Sequence, residues 1–359
     1  MTKTIILSTG GTGGHIFPAL RLSEELRSRG HRVILLTDQR GQKYQEGASF
    51  DGVYMMNLHK GSGLIAKVLQ LLDIAIQTVK ACLLYRRMKP DLVIGFGGYT
   101  SAPALMAAYL SRIPFMVHEQ NAVLGRVNRW MAPYANLLAL GFDSTRGVPE
   151  KVKTNFVGNP VRDDILAGGG IPKTPTEKIR LFVFGGSQGA TLFSTIVPQA
   201  IAQLPESMQV TLEIVLQSRE ESLEKTRYDL KKTHSTIIAV QPFFTDIPQQ
   251  LSQADLIIAR SGAMTVSEIS AMGRATLFVP LKIAMDNHQF YNVEKIREAK
   301  AAWVILEDDF TPENLSRILM EILKNPYEMD HRGQAIRHFS TPDSTVKLAK
   351  QVENLVTIV

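Results

Sequence analysis

Short apolar runs alternate with amphipathic stretches along most of this chain. Thr4-Ile5-Ile6-Leu7 has the pattern of a buried strand, Ile16 to Arg29 that of an amphipathic helix stopped by Gly30, and Arg32 to Thr37 that of a second buried strand. The first unit therefore reads β-α-β. Asp91 to Phe96 and Pro114 to Val117 continue the strand series, and Phe142 to Asn159 carries the sheet to its edge. Asp163 to Lys178, with Gly168-Gly169-Gly170 and its prolines, has the composition of a linker. The pattern then restarts: Arg180 to Phe184, Val210 to Leu216, Thr236 to Val240, Asp255 to Ala259 and Thr276 to Val279 read as strands alternating with helices. A last helix, Ser344 to Val356, is placed to cross back onto the first half. The prediction is an α/β protein of two Rossmann-like, doubly wound parallel-sheet domains facing across a cleft. Their expected extents are 1–160, joined by a C-terminal helix within 342–359, and 161–341.

One helix stands apart. Leu64, Ile65, Val68, Leu69, Leu72, Ile76, Val79 and Leu83 form a stripe at helical spacing, and Leu71, Ile74 and Cys82 widen it. Lys67, Asp73, Gln77 and Lys80 interrupt it too often for a membrane span. A buried core helix is the plain expectation; the alternative is a helix that packs inward and also meets a membrane surface beside Arg86, Arg87 and Lys89.

Candidate chemistry collects where strands end, which is where ligands bind in open α/β sheets. The first strand runs into Thr9-Gly10-Gly11-Thr12-Gly13-Gly14-His15. Glycines there permit close backbone approach, and the following helix start offers unpaired N–H groups to a phosphate. Neither common nucleotide fingerprint is met. A G-x-G-x-x-G frame starting at Gly11 finds Ile16 where glycine is required, and no P-loop lysine is present. Asp38 ends the second strand about where a dinucleotide fold places its ribose-binding acid. Further turns follow at Gly95-Phe96-Gly97-Gly98-Tyr99, His118-Glu119-Gln120-Asn121 and Gly158-Asn159-Pro160-Val161-Arg162.

The second half offers the better nucleotide pocket. Gly185-Gly186-Ser187-Gln188-Gly189-Ala190 can present backbone N–H groups, the Ser187 hydroxyl and the Gln188 amide to a diphosphate. Arg260 to Glu268 opens another helix after a strand, with Glu268 one turn in and able to accept ribose hydroxyl hydrogen bonds. Gln241-Pro242-Phe243-Phe244 can wall a base, and Asp286 to Gln289 begins a further helix with polar side chains. Histidine titrates near neutrality, which suits His15 to a general base; Glu119 is the rival for that role.

Composition narrows the partners. Forty Lys and Arg against 34 Asp and Glu give a net charge of +6, which favours anionic membranes or phosphorylated ligands. No dense basic block or RNA-binding signature points to nucleic acid. Cys82 is the only cysteine, which rules out an intramolecular disulfide and fits a reducing compartment. Strand one begins at once, leaving no room for a signal peptide, so a cytosolic protein is expected. With no His-Glu-x-x-His or Asp-x-Asp pattern, neither metal nor cofactor is expected.

These motifs together resemble the MurG family, the peptidoglycan N-acetylglucosaminyltransferases of GT-B fold. The resemblance spans essentially the whole chain. It rests on Gly10 to His15, Gly97-Gly98-Tyr99, His118 to Asn121, Gly158 to Arg162, Gly185 to Ala190 and Arg260 through Glu268. It implies inverting transfer of N-acetylglucosamine from UDP-N-acetylglucosamine to undecaprenyl-diphospho-N-acetylmuramoyl-pentapeptide (lipid I), forming lipid II. Residues matching the family's UDP-sugar positions are Thr12, Gly13, Gly14, Asn121, Arg162, Ser187, Gln188, Phe244, Ala263, Met264, Thr265, Val266, Ser267, Glu268 and Gln289. Gly11, Gly97, Gly98 and Tyr99 fall to the acceptor diphosphate, and His15 or Glu119 to the catalytic base. Domain closure would bring His15 over the donor sugar. Phe244 stands where the family has a smaller aliphatic residue, and Lys282-Ile283-Ala284-Met285 also departs from its pattern. The family works at the cytoplasmic face of the cell membrane, so the anionic inner leaflet and other cell-wall synthesis proteins are implied partners. Three rivals share parts of this pattern: a UDP-N-acetylglucosamine 2-epimerase, a non-catalytic UDP-sugar-binding scaffold at the membrane, and a nicotinamide dehydrogenase.

Overall fold

The computed structural model describes residues 2–10, 13–42, 50–58, 63–170, 177–186 and 191–357. The chain divides into two compact units, Met1–Val161 with Thr341–Val359, and Arg162–Ser340. Each is built on its own parallel sheet.

The first unit contains strands β1 (Thr4–Ser8), β2 (Arg32–Thr37), β3 (Gly52–Met55), β4 (Leu92–Gly95), β5 (Phe115–Glu119), β6 (Leu137–Leu140) and β7 (Thr154–Phe156). They form a seven-stranded sheet in the order β3-β2-β1-β4-β5-β6-β7. Such an order reverses between β1 and β4, so the chain leaves these neighbours in opposite directions and opens a crevice at their carboxyl ends. Ser8 lies opposite Gly95, which sets the two glycine turns side by side.

The helix after β1 spans Gly13–Ser28, starting three residues before the apolar pattern does. Gly13, Gly14 and His15 are therefore its first turn, not a loop. Its inner face, Ile16, Ala19, Leu22 and Leu26, packs in one cluster with Leu348, Ala349, Val352 and Val356 of the helix Ser344–Thr357. Strand β5 runs two residues past the expected Val117, so His118 and Glu119 are strand residues paired with Ala139 and Leu140. The stretch expected to carry the sheet to its edge is mostly loop, with only Thr154–Phe156 in a strand.

The second unit repeats the plan. Its strands are β8 (Ile179–Phe184), β9 (Leu212–Gln217), β10 (Thr236–Gln241), β11 (Leu256–Ala259), β12 (Ala275–Phe278) and β13 (Trp303–Val304). The six-stranded order is β10-β9-β8-β11-β12-β13, with Phe184 opposite Ala259 where the order reverses. The segment expected to be a linker begins instead as a helix, Asp163–Gly168. Ile165 on it is fully buried, and a Cβ at Gly169 would collide with the Ala271 carbonyl, so this turn is packed against the helix Ala263–Met272. Residues 171–176 lie outside the described ones.

The long apolar helix spans Leu64–Met88 and departs from the expectation of a buried core helix. Its inner face is Gln77, Thr78, Ala81 and Tyr85, all buried. The Tyr85 hydroxyl donates to the Ala104 carbonyl (3.1 Å) on the helix Ser101–Leu110, and Gln77 Nε2 donates to the Asn57 carbonyl (3.0 Å). Val68, Leu69, Leu72, Ile76, Val79 and Leu83 of the predicted stripe lie on the outside, with Val79 60% exposed. By length and composition alone, Val68–Met88 would pass as a membrane span, contrary to the sequence reading.

Leu348 is completely buried against the Gly13–Ser28 helix. Leu348→Ala is expected to cost about 2–5 kcal/mol by leaving a cavity, read as a lower denaturation midpoint of the first unit in hydrogen-exchange or urea unfolding.

Candidate active site

The two glycine turns of the first unit are tied to each other. Ser101 Oγ sits 2.8 Å from the Ser8 carbonyl and 2.7 Å from the Gly97 carbonyl, and Ser8 Oγ donates to the Thr100 carbonyl (3.2 Å). At Gly10 a Cβ would collide with the Thr100 hydroxyl, so only glycine lets the turns approach this closely. Gly97 (φ 83°) and Gly98 (φ 75°) are left-handed, and ideal Cβ atoms there would lie 3.5 Å from His15 Cε1 and 3.8 Å from His15 Cδ2. The His15 ring thus rests on the Gly97-Gly98 turn. Tyr99 points to solvent. Gly11 and Thr12 lie outside the described residues.

Beneath His15 runs a chain of buried polar groups that the motif pattern alone did not assign. His15 Nδ1 is 2.9 Å from Gln120 Oε1. Gln120 Nε2 is 2.9 Å from His118 Nδ1 and 3.1 Å from the His118 carbonyl. His118 Nε2 is 3.2 Å from the Gly158 carbonyl. Gln120 and His118 are both buried. Burial, with a smaller push from neighbouring His15, holds the His118 imidazole down to about 4, so it is neutral at pH 7.

Glu119 serves this loop rather than solvent. Its Oε1 accepts from the Asn121 amide N–H (2.9 Å) and Asn121 Nδ2 (3.1 Å). Its Oε2 accepts from the Gly125 N–H and Asn128 Nδ2, both at 2.8 Å. With four donors on two oxygens and 1% exposure, this carboxylate has no lone pair turned to a substrate. Asp38, at the end of the second strand, accepts from the Gly41 N–H (2.9 Å) and so caps the following turn.

In the second unit, Ser187 and Gln188 lie outside the described residues. Just before them, Gly185 N–H donates to buried Gln217 Oε1 (3.0 Å), whose Nε2 donates to the Pro242 carbonyl (3.1 Å). Gln217 therefore fastens the end of β8 to the end of β10; its position in an apolar strand carried no signal of that role. The helix Ala263–Met272 starts without a side-chain cap at Gly262. That leaves the first backbone N–H groups, at Ala263, Met264 and Thr265, directed out of the helix end. Met264 and Val266 turn their side chains inward, and Ser267 Oγ bonds back to the Ala263 carbonyl (2.9 Å).

Glu268 meets Arg162 at Nε–Oε1 3.3 Å. Burial pushes the Glu268 carboxyl up, and the Arg162 guanidinium pulls it part of the way back. Buried Arg260 reaches the Val279 carbonyl (3.1 Å) and Glu307 Oε2 (2.9 Å), which also accepts from the Lys282 N–H (2.9 Å). Gln289 Oε1 accepts from the Leu281 N–H (3.0 Å), and the Gln289 carbonyl accepts from Ser261 Oγ (2.8 Å). These bonds join the start of one helix to the loop before the next. Phe244, expected to wall a base, is buried edge-on against Phe182 (centroids 5.5 Å). The exposed ring at this strand end belongs to Phe243.

His118 links the site to pH. The unfolded chain protonates it below about pH 6.5, whereas the native fold resists until about pH 4, so native stability falls as pH drops through that window. Between pH 7 and 5 the loss is about 2 kcal/mol. In urea titrations at those two pH values, His118→Gln should lack this component of the loss.

Two family descriptions match the two halves. Residues 5–139 match the glycosyltransferase family 28 N-terminal domain, and residues 180–345 match the family 28 C-terminal domain. The chain is 39% identical over 356 residues to the UDP-N-acetylglucosamine–N-acetylmuramyl-(pentapeptide) pyrophosphoryl-undecaprenol N-acetylglucosamine transferase of Rhodospirillum centenum, covering 97% of this chain and 93% of that one. It is 38% identical over 360 residues to the transferase of the same name from Caulobacter vibrioides, covering 98% and 99%. The crystal structure of Acinetobacter baumannii MurG superposes with a TM-score of 0.80 at 30% identity, covering 98% of this chain and 99% of that chain. With both halves matched and this identity sustained from end to end, the chain belongs to glycosyltransferase family 28 and, within it, to the MurG family of GT-B-fold N-acetylglucosaminyltransferases.

Proposed function

We propose that this enzyme transfers N-acetylglucosamine, with inversion, from UDP-N-acetylglucosamine to undecaprenyl-diphospho-N-acetylmuramoyl-pentapeptide, making lipid II. The observation that carries the reading is identity of 38–39% over at least 97% of the chain to relatives named for that reaction. The epimerase, scaffold and dehydrogenase readings have no comparable support.

In this reading the second unit holds the donor. Glu268 accepts the ribose hydroxyls, and the uncapped N–H groups at Ala263 to Thr265, with Arg162 and Ser187, meet the diphosphate. The first unit supplies the base. His15 takes the proton of the muramoyl 4-hydroxyl as its oxygen bonds to the anomeric carbon and the bond to UDP breaks, the electron pair leaving with UDP. His15 is preferred to Glu119 because all four donors on Glu119 are internal, while the half-buried His15 ring rests on the Gly97-Gly98 turn with only Nδ1 bonded to Gln120. Gly97, Gly98 and Gly11 take the acceptor diphosphate.

The enzyme docks on the cytoplasmic face of the membrane through the outer face of Leu64–Met88. Support comes from exposed Val68, Leu72, Ile76, Val79 and Leu83, followed in sequence by Arg86 and Arg87, a pairing of apolar side chains with cations suited to an anionic leaflet.

Labelled UDP-N-acetylglucosamine incubated with and without a short-chain lipid I analogue tests the reaction. Product should form only with the analogue; UDP-N-acetylmannosamine from donor alone, or no transfer at all, overturns it. His15→Ala should lower turnover at least about 100-fold with donor affinity little changed, as read by steady-state kinetics and calorimetry. For the membrane face, Leu72→Glu with Val79→Glu should weaken binding to phosphatidylglycerol vesicles and transfer to a vesicle-embedded acceptor, while sparing transfer to the soluble analogue.

A further inference from the structure

We infer that Gln120 is a positioning residue that holds the His15 imidazole as its Nδ1–H tautomer and so presents Nε2 as the lone pair for proton transfer. The inference deepens the reading of His15 as base and rests on it for its catalytic consequence.

The tautomer follows from two backbone carbonyls. An amide nitrogen and oxygen differ in what they can face, and a carbonyl oxygen can only accept. One end of the Gln120 amide lies 3.1 Å from the His118 carbonyl, so that end is Nε2–H. The same nitrogen lies 2.9 Å from His118 Nδ1, which must therefore accept, leaving the His118 proton on Nε2. That proton points at the Gly158 carbonyl, 3.2 Å away and again an obligate acceptor. Both ends of the chain thus fix the same polarity. What remains is Gln120 Oε1, an acceptor 2.9 Å from His15 Nδ1, which requires Nδ1 to carry hydrogen.

Reversing the polarity is expensive. Turning the Gln120 amide over sets its oxygen against the His118 carbonyl, and switching the His118 tautomer abandons the Gly158 carbonyl. Gln120 is 1% exposed and His118 fully buried, so water cannot repair either loss. Burial also keeps His118 neutral, which preserves its Nδ1 as an acceptor. Gln120 Oε1 then remains in place to accept from Nδ1–H after Nε2 has taken a proton. The arrangement does for His15 what the orienting carboxylate does in the Ser-His-Asp triad, with an amide in its place.

Long-range proton–nitrogen NMR on histidine-labelled full-length protein reads the tautomer directly, without any substitution. At a pH where His15 is neutral, its Nδ1 should show the protonated shift and its Nε2 the unprotonated one. Gln120→Leu should mix or reverse the tautomers and lower kcat roughly 10- to 100-fold, with donor Kd and acceptor KM within about threefold. An Nε2–H tautomer in the unsubstituted protein overturns the inference, as does Gln120→Leu with tautomer and kcat unchanged. Turnover surviving in His15→Ala, alongside an Nδ1–H signature, instead overturns the base reading and with it the catalytic part assigned to Gln120.

Discussion

Everything at the candidate site depends on the reversal of strand order in each parallel sheet. Where β1 and β4 lie side by side, their two connections leave toward opposite faces, and the turns after them share one edge. The bonds from Ser8 to Thr100 and from Ser101 to Ser8, and the forced glycine at Gly10, exist because those turns touch. β5 lies next in the sheet and ends at the same edge, delivering His118, Glu119 and Gln120 beneath the first turn of the Gly13–Ser28 helix. In the second unit the same reversal between β8 and β11 sets the end of β8 beside the strand that leads to an uncapped helix start. One topological rule, used twice, gives each sheet a reversal point with a helix starting just past it.

Burying so many polar groups at this edge would be destabilising were they not paired. Glu119 is matched by four donors, and Gln120 by the ring and carbonyl of His118 and by the His15 ring. The pairing also sorts roles. The Glu119 carboxylate, with every lone pair occupied, is held as scaffolding, while the His15 ring rests on a glycine turn with its Nδ1 engaged by Gln120. Arg162 and Glu268 follow similar logic, since burial that penalises the carboxylate is partly offset by the guanidinium.

The helix Leu64–Met88 shows why an apolar stripe is ambiguous. Its packed face carries Gln77, Thr78, Ala81 and Tyr85, small or hydrogen-bonding side chains that suit close contact with Ser101–Leu110. Val68, Leu69, Leu72, Ile76, Val79 and Leu83 stay outside, while Leu84 packs partly against the core. Hydrophobicity measures a preference to leave water, not which apolar surroundings receive the side chain.

Strand and helix alternation, the two-sheet plan, the helix near the C-terminus and the Gly97-Gly98 turn were legible in the sequence, because burial periodicity and glycine placement are local properties. Several boundaries were not. The Gly13–Ser28 helix starts inside its glycine motif, β5 carries two polar residues into the sheet, and Asp163–Gly168 winds where a linker was expected. The motifs named candidate residues, and the structure sorted their contacts. His15 meets Gln120 across 105 positions of chain, Glu119 turns inward, and the Phe244 ring goes to the core while Phe243 stays outside. Sequence by itself determined which segments are buried and where backbone can bend. Tertiary structure alone decided which polar atoms face one another, because those distances are set by strand order and register between residues far apart in the chain.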